Sequence, residues 1–561
     1  MTGPVPPLTT DHRLDAGAVL RRGGSSPYRA IEVIDGERHV LRDEFLAAGQ
    51  PGAPAVKQSC GGARRPLACL VHITDLQLAD VQSPTRFEFL NRFFADPRYA
   101  GVVPVQRPQE ALNPHAVNAT LRTVNAVRGP ATGLAPQLVV TTGDAIDNAQ
   151  WNEARLFLTL FEGGPVTGNS GAGGYAGVQA LDWPDDIFWK PDGAGHRGPD
   201  FFRREFGFPH HPGLLDAAVR SFRADGLRIP WLSCFGNHEA LNQGVGRATP
   251  GIAAALTGDR KPVAPPDGFD HDLALELFTT SPEVFMTGPS RLVAADAARR
   301  PVTRQEFVAA HFQPGAQPTG HGFTEANRSD GTAYYVHDTP AIRFVALDTN
   351  CLAGGANGCL DRTQARWLEA RLAEVHSAYR DRAGEPVRTA HEDRLVVLFS
   401  HHGTGTLTNT RYGHRGPDGE PLLGAAEFAA LLHRFGNVVL WLNGHTHTND
   451  VRARRSPADP GQGFWEVTTC AVVDWPCQTR VVEVCDAAGE LAITCTMVDH
   501  DSPLAARSLD HPRDLAALHR ELAANVPVIG AAHPGRAGQP TDRNVELRLR
   551  APFPLARLPG S

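Results

Sequence analysis

The sequence predicts an α/β fold, and three observations carry that prediction. Short apolar runs (Cys69 to Ile73, Leu138 to Thr142, Phe344 to Leu347, Leu395 to Phe399 and Val438 to Leu442) alternate with segments of helical periodicity. That alternation is the pattern of strands joined through helices. The helical segments carry their own start and stop residues. Polar residues of metal-ligand type also follow several of the runs directly, at the strand ends where α/β sheets build their sites.

Residues 1 to 65 are rich in turns, and the alternating stretch from Ala30 to Leu41 is broken by Asp35-Gly36, a hairpin signal. They read as an N-terminal extension with a hairpin, followed by a main domain over 66–500. Asn113-Pro114 starts a helix with Val117, Leu121 and Val124 on one face. Two interruptions, about 150–225 and about 240–335, contain Gly/Pro-rich chain, with Trp183 and Trp189 embedded in the first. Such lengths fit substrate-shaping lids or mobile insertions. Asp361 and Gln364 open the helix carrying Trp367, Leu368 and Leu372, and another runs from Ala425 to Arg434, before Gly436. The last core strands are Phe464 to Thr469, Thr479 to Cys485 and Leu491 to Val498. A tail over 501–561, with one helix from Asp514 to Ala524, packs on the core.

Composition narrows the function. Of 561 residues, 42% are hydrophobic, and 54 basic against 61 acidic residues give a net charge of -7. Such a chain has no general attraction for a phosphate backbone or an anionic membrane, so no nucleic-acid partner is expected. No apolar window reaches the ~18 residues a membrane span needs. Arg21-Arg22 is followed by Gly-Gly-Ser-Ser-Pro where an export signal needs an apolar stretch, which makes a cytoplasmic location the expectation. Of nine cysteines, Cys69, Cys234, Cys485 and Cys495 lie in apolar runs as buried thiols do. Cys351 with Cys359, and Cys470 with Cys477, are spaced so that either pair could bridge.

Five runs end in chemistry. Cys69 to Thr74 leads into Asp75-Leu-Gln77, and Leu138 to Thr142 into Gly143-Asp144-Ala-Ile-Asp147. Ile229 to Phe235 leads into Gly236-Asn237-His238-Glu239, Leu395 to Ser400 into His401-His402, and Val438 to Asn443 into Gly444-His445-Thr446-His447. Each group alone is weak; their joint order points to a metal site.

This constellation resembles the calcineurin-like metallophosphoesterases, whose pattern is Asp-x-His, Gly-Asp-x-x-Asp, Gly-Asn-His-Asp/Glu, His and Gly-His-x-His, and within them a bacterial subfamily with long inserts. The resemblance covers residues 66 to 500. It implies a four-layer α/β/β/α sandwich of the metallo-dependent phosphatase type, with long insertions, that hydrolyses a small-molecule phosphoester, monoester or diester. It further implies two divalent ions (Mn, Fe or Zn), the first held by Asp75 and His447, the second by Asn237, His401 and His445, with Asp144 shared. Between such ions water becomes a nucleophile near neutral pH. His238 is then the group that assists the leaving oxygen, and Asp147 the carboxylate that orients it. One position departs: Gln77 stands where the family has histidine, offering a neutral amide oxygen or no ligand, with Asp80 and Gln82 nearby as substitutes. That departure also admits a rival, a non-catalytic binding or scaffold protein with a degenerate metal site.

Among the other histidines, His72 is expected in the core, and His321 could reach the site from the second insertion. Trp475 could wall the pocket or pack in the core.

Overall fold

The structure, a computed structural model, describes residues 7–46, 57–58, 64–194, 198–409, 419–527, 529–533 and 535–558. It is a mixed α/β fold with two large mixed sheets. One has eight strands in the order Lys57–Gln58, Val40–Arg42, Val545–Arg550, Glu490–Asp499, Gln478–Ala487, Arg65–Ile73, Leu138–Thr141 and Trp231–Leu232. The other has six, in the order Tyr335–Asp338, Ile342–Ala346, Leu395–Phe399, Val438–Asn443, Gly463–Thr468 and Asp450–Arg455.

The parallel strands position the site. Arg65–Ile73, Leu138–Thr141 and Trp231–Leu232 run parallel in one sheet. Ile342–Ala346, Leu395–Phe399, Val438–Asn443 and Gly463–Thr468 do so in the other. Ile73 pairs with Thr141, and Phe399 with Leu442, so the carboxyl ends of neighbouring strands finish together. These strands are buried on both faces, which is why they read as continuous apolar runs rather than alternating ones. Leu70, Val139, Val481 and Ile493 of the larger sheet share one core with Phe344, Val397, Leu440 and Trp465 of the smaller. A second core joins Val345, Val396, Leu398 and Trp441 to helices Arg362–Ala373 and Ala425–Leu432 through Leu368, Leu372, Phe428 and Leu432. Helix Asn113–Val124 lies against helix Pro512–Asn525. Two helix starts follow the sequence signals: Pro114 stands in the first turn of helix Asn113–Val124, and before helix Arg362–Ala373 the Asp361 side chain accepts from the Gln364 backbone N–H.

The two long insertions are packed chain. Trp189, Phe206, Phe208 and Leu214 form a cluster with Leu515, Leu518 and Leu522 of the C-terminal helix. Phe87, Val105, Ile252, Phe278 and Phe285 form another, and Trp183 is buried beside Val178 and Phe188.

In the N-terminal segment a hairpin forms one strand earlier than expected. His12–Arg21 pairs with Tyr28–Asp35, while Val40–Arg42 joins Val545–Arg550 in the large sheet. Asp35-Gly36 ends a strand instead of turning one, and glycine is needed there for close packing: a Cβ at Gly36 would stand 2.2 Å from the Thr10 carbonyl oxygen. The rest of the 1–65 segment lies partly outside the described residues. Every described cysteine is a buried free thiol, and Cys351 and Cys359 are in hydrogen-bond contact. Among the described residues no helix is long and apolar enough to cross a membrane.

Candidate metal centre

The turns after the parallel strands hold the seven candidate ligands, five of them in an unusual backbone state. Asp75, Gln77, Asp144, His445 and His447 have φ of 52°, 42°, 51°, 70° and 55°. Left-handed conformation is uncommon outside glycine and gathers at functional sites, where packing over-determines it. Glycines make the close approach possible. A Cβ on Gly236 would stand 2.2 Å from Asp144 Oδ1, and one on Gly444 would stand 2.5 Å from Asp75 Oδ2. Glu239 then pins the Asp144 turn: its carboxylate accepts from the backbone N–H groups of Gly236 (2.6 Å), Asp144 (2.9 Å) and Ala145 (2.6 Å).

These turns bring the side chains of both sheets to one place. Asp144 Oδ2 lies 3.0 Å from His401 Nε2, whose ring donates through Nδ1 to the Thr142 carbonyl at 2.7 Å. His445 Nδ1 is 3.2 Å from His401 Nε2, and the His445 backbone N–H donates to Asp75 Oδ2 at 3.0 Å. His447 Nε2 is 3.2 Å from Asp75 Oδ1, and its Nδ1 donates to Asp474 Oδ2 at 2.6 Å. Asp75, Asp144 and His401 each offer a ligand atom within 4.8 Å of the others, as do His401, His402 and His445. In the second group, however, His402 is spent on Thr349 Oγ1 and the Ala356 carbonyl, each at 2.9 Å.

The donor set fits divalent cations. Asp75 Oδ1, Gln77 Oε1 and Asn237 Oδ1 are buried without hydrogen-bond partners, three oxygen acceptors left open on candidate ligands. Leaving such groups unpaired is costly unless a cation satisfies them. With its Nδ1 proton donated to Thr142, His401 turns Nε2 toward a carboxylate, an arrangement that calls for a proton or a metal between them. Burial alone would lower His401, but the Asp144 carboxylate outweighs it and lifts the ring to about 9. Burial likewise opposes ionisation of Asp144, yet His401 and then His238 hold its carboxyl well below the usual range. His445 is pushed down to about 3 by burial and then by His401.

His238 is at the rim, its side chain 14% exposed. Asp147 meets His238 chiefly through its main chain: His238 Nδ1 donates to the Asp147 carbonyl at 2.6 Å, and the Asp147 carboxylate oxygen lies 3.8 Å from the same nitrogen. That carboxylate instead accepts from the fully buried Arg86 at 2.8 Å, whose guanidinium also holds Glu110. Gln77 points its Nε2 at His238 Nε2 (3.2 Å) and His447 Nε2 (3.3 Å), with Oε1 left open.

Asp80 and Gln82 stand elsewhere: Asp80 pairs with Arg299 at 2.8 Å and Gln82 donates to Asn169. His321 stacks on Trp231 with ring centroids 3.7 Å apart. His72 is a satisfied core residue between Thr142 and Thr469, each at 2.9 Å, and Trp475 packs with Leu14 and Ile31. Sequence reasoning missed Asp474, although it follows the apolar Ala471 to Val473 just as the other acids follow their runs. It also gave no role to Gly244, where a Cβ would meet the His238 ring at 2.3 Å. Comparison with protein-family models and with curated proteins finds no match to this chain.

Proposed function

We propose that this protein is a metal-dependent phosphoester hydrolase of the calcineurin-like metallophosphoesterase type, its two sheets and flanking helices forming that family's four-layer α/β/β/α sandwich. The observation that carries the reading is the convergence of Asp75, Asp144, His401, His445 and His447 from the ends of two sheets, with three open buried oxygens among the candidate ligands, that of Asn237 included. Asp75, His447 and Asp144 would hold one divalent ion, and Asp144, Asn237, His401 and His445 the other. Bound there, such ions supply Lewis acidity toward a phosphoryl oxygen and toward water.

The chain's own residues supply the rest. Thr142 and Asp474 take the Nδ1 protons of His401 and His447, which fixes Nε2 of each ring as the donor atom facing the cluster. Asp147's carbonyl accepts the Nδ1 proton of His238, so the proton for a leaving oxygen is the second one, carried on Nε2 of the imidazolium form. Gly244 leaves room for that ring. Glu239 ties down the Asp144 turn through its backbone N–H groups, the kind of support that positioning a reacting group requires.

The test is metal content of the purified protein, together with hydrolysis of an aryl phosphomonoester and an aryl phosphodiester with and without manganese. Near two ions per chain and chelator-sensitive turnover are expected. One specific contact favours the rival scaffold reading: the Gln77 amide reaching both His238 and His447. No turnover under any added ion would select that rival.

A further inference from the structure

The C-terminal segment does more than cover the core. Beyond helix Pro512–Asn525 the chain returns to the His445-Thr446-His447 turn, where the Asn449 backbone N–H donates to the Arg536 carbonyl at 3.0 Å and Asn449 Nδ2 to the Ala537 carbonyl at 3.2 Å. This docking delivers the Arg536 guanidinium to Asp474 Oδ2 at 3.1 Å. Arg107, from a loop more than 400 positions away in the chain, grips the same carboxylate through Nε to Oδ1 at 2.7 Å and Nη2 to Oδ2 at 3.3 Å. The Asp474 side chain is fully buried, and the chain before it is tied to the first candidate ligand: the Val473 backbone N–H donates to the Asp75 carbonyl at 3.3 Å.

We propose that Asp474, Arg107 and Arg536 form a positioning clamp for His447, which makes the C-terminal segment around Arg536 a working part of the first ion site. Among the described residues His447 Nδ1 has one partner, Asp474 Oδ2 at 2.6 Å, so the carboxylate sets both the tautomer and the ring plane. A lone buried carboxylate could swing; two guanidiniums fix both of its oxygens. Nε2 is then held as a lone-pair donor 3.2 Å from Asp75 Oδ1, its partner in the proposed site. None of the three touches the proposed reacting atoms; they act through His447. This inference rests on the metal-centre reading.

Arg536→Gln tests it. Arg536 is the outermost of the three, its side chain 19% exposed, so its loss is the least disruptive to folding. Manganese binding is measured by equilibrium dialysis on the full chain, alongside the unfolding midpoint of the metal-free protein. Arg536→Gln is expected to weaken one of the two ions about tenfold or more, leave the other unchanged and leave that midpoint in place. Arg536→Lys, which keeps the charge, is expected to recover most of the lost affinity. Unchanged affinities, or equal weakening of both ions with a lowered midpoint, would overturn the clamp while the metal reading stands. A wild-type chain that binds no manganese would overturn the metal reading and the clamp with it.

Discussion

His238 is oriented by a main-chain atom: its Nδ1 donates to the Asp147 carbonyl across 2.6 Å, while the Asp147 carboxylate stands 3.8 Å away and belongs to Arg86. A main-chain oxygen survives substitution of its side chain. Asp147→Asn is therefore expected to lower turnover by less than about tenfold, while destabilising the fold by about 1 to 3 kcal/mol, since buried Arg86 loses a charged partner. His238→Ala removes the proton carrier itself and is expected to lower turnover by ~10²- to 10⁴-fold with metal content intact. Steady-state rates and metal analysis on the two variants check this. Equal loss in both would return the orienting role to the carboxylate.

Gln77 would offer an ion held by Asp75 and His447 at most an amide oxygen, and its amide nitrogen faces two imidazoles. Gln77→His is expected to tighten the weaker of two zinc ions by about tenfold, as an imidazole nitrogen replaces a harder, neutral oxygen. Dialysis against limiting zinc reads this directly. A variant that binds more weakly than wild type would show that the Gln77 contacts to His238 and His447 hold the site open.

Much of this centre was legible in the sequence, for a definite reason. Asp75, Asp144, Asn237, His401 and His445 each lie within three residues of an apolar run, and parallel register brings those run ends together. Long-range partners were not legible. Arg86, Arg107 and Arg536 meet their carboxylates across 61, 367 and 62 positions, and neither periodicity nor local spacing announces such pairs. The hairpin shift has the same origin: Asp35-Gly36 carries a local turn signal, but the neighbouring Val40–Arg42 finds its partner in Val545–Arg550, near the far end of the chain.

Glu239 is an acceptor facing only donors, four backbone N–H groups from Gly236, Asp144, Ala145 and Ile146. Glu239→Gln turns an amide NH₂ toward some of them. The expected cost is on the order of 2 to 3 kcal/mol, the worth of charged hydrogen bonds lost in a buried site. Because the Asp144 turn is what Glu239 holds, both ions should weaken together. Urea unfolding with metal analysis checks both expectations, and wild-type metal content in a destabilised variant would separate the turn from the site.

The pH dependence of stability follows from buried histidines outside the set of candidate ligands. Burial pushes His115 and His376 down to about 4, and His311 and His519 down to about 3. His376 shows the structural side of this: Nδ1 donates to the Leu372 carbonyl at 2.6 Å and Nε2 accepts from the Asn437 backbone N–H at 3.0 Å, so a second ring proton would break a bond already made. In the unfolded chain a histidine titrates near ~6.5. As pH falls below that value, the unfolded chain takes up these protons and the folded chain does not. Their folded values are depressed, so the stability they confer is complete above about 6.5 and is lost as pH falls toward 4, at ~1.4 kcal/mol per pH unit for each ring. Urea midpoints at pH 7.5, 6 and 5 are expected to fall with increasing steepness. His311→Leu removes one such ring from an aromatic cluster built by Phe157, Phe307 and Phe323, and should flatten the slope by one proton. A slope unchanged in that variant would mean that His311 takes up its proton within the folded protein.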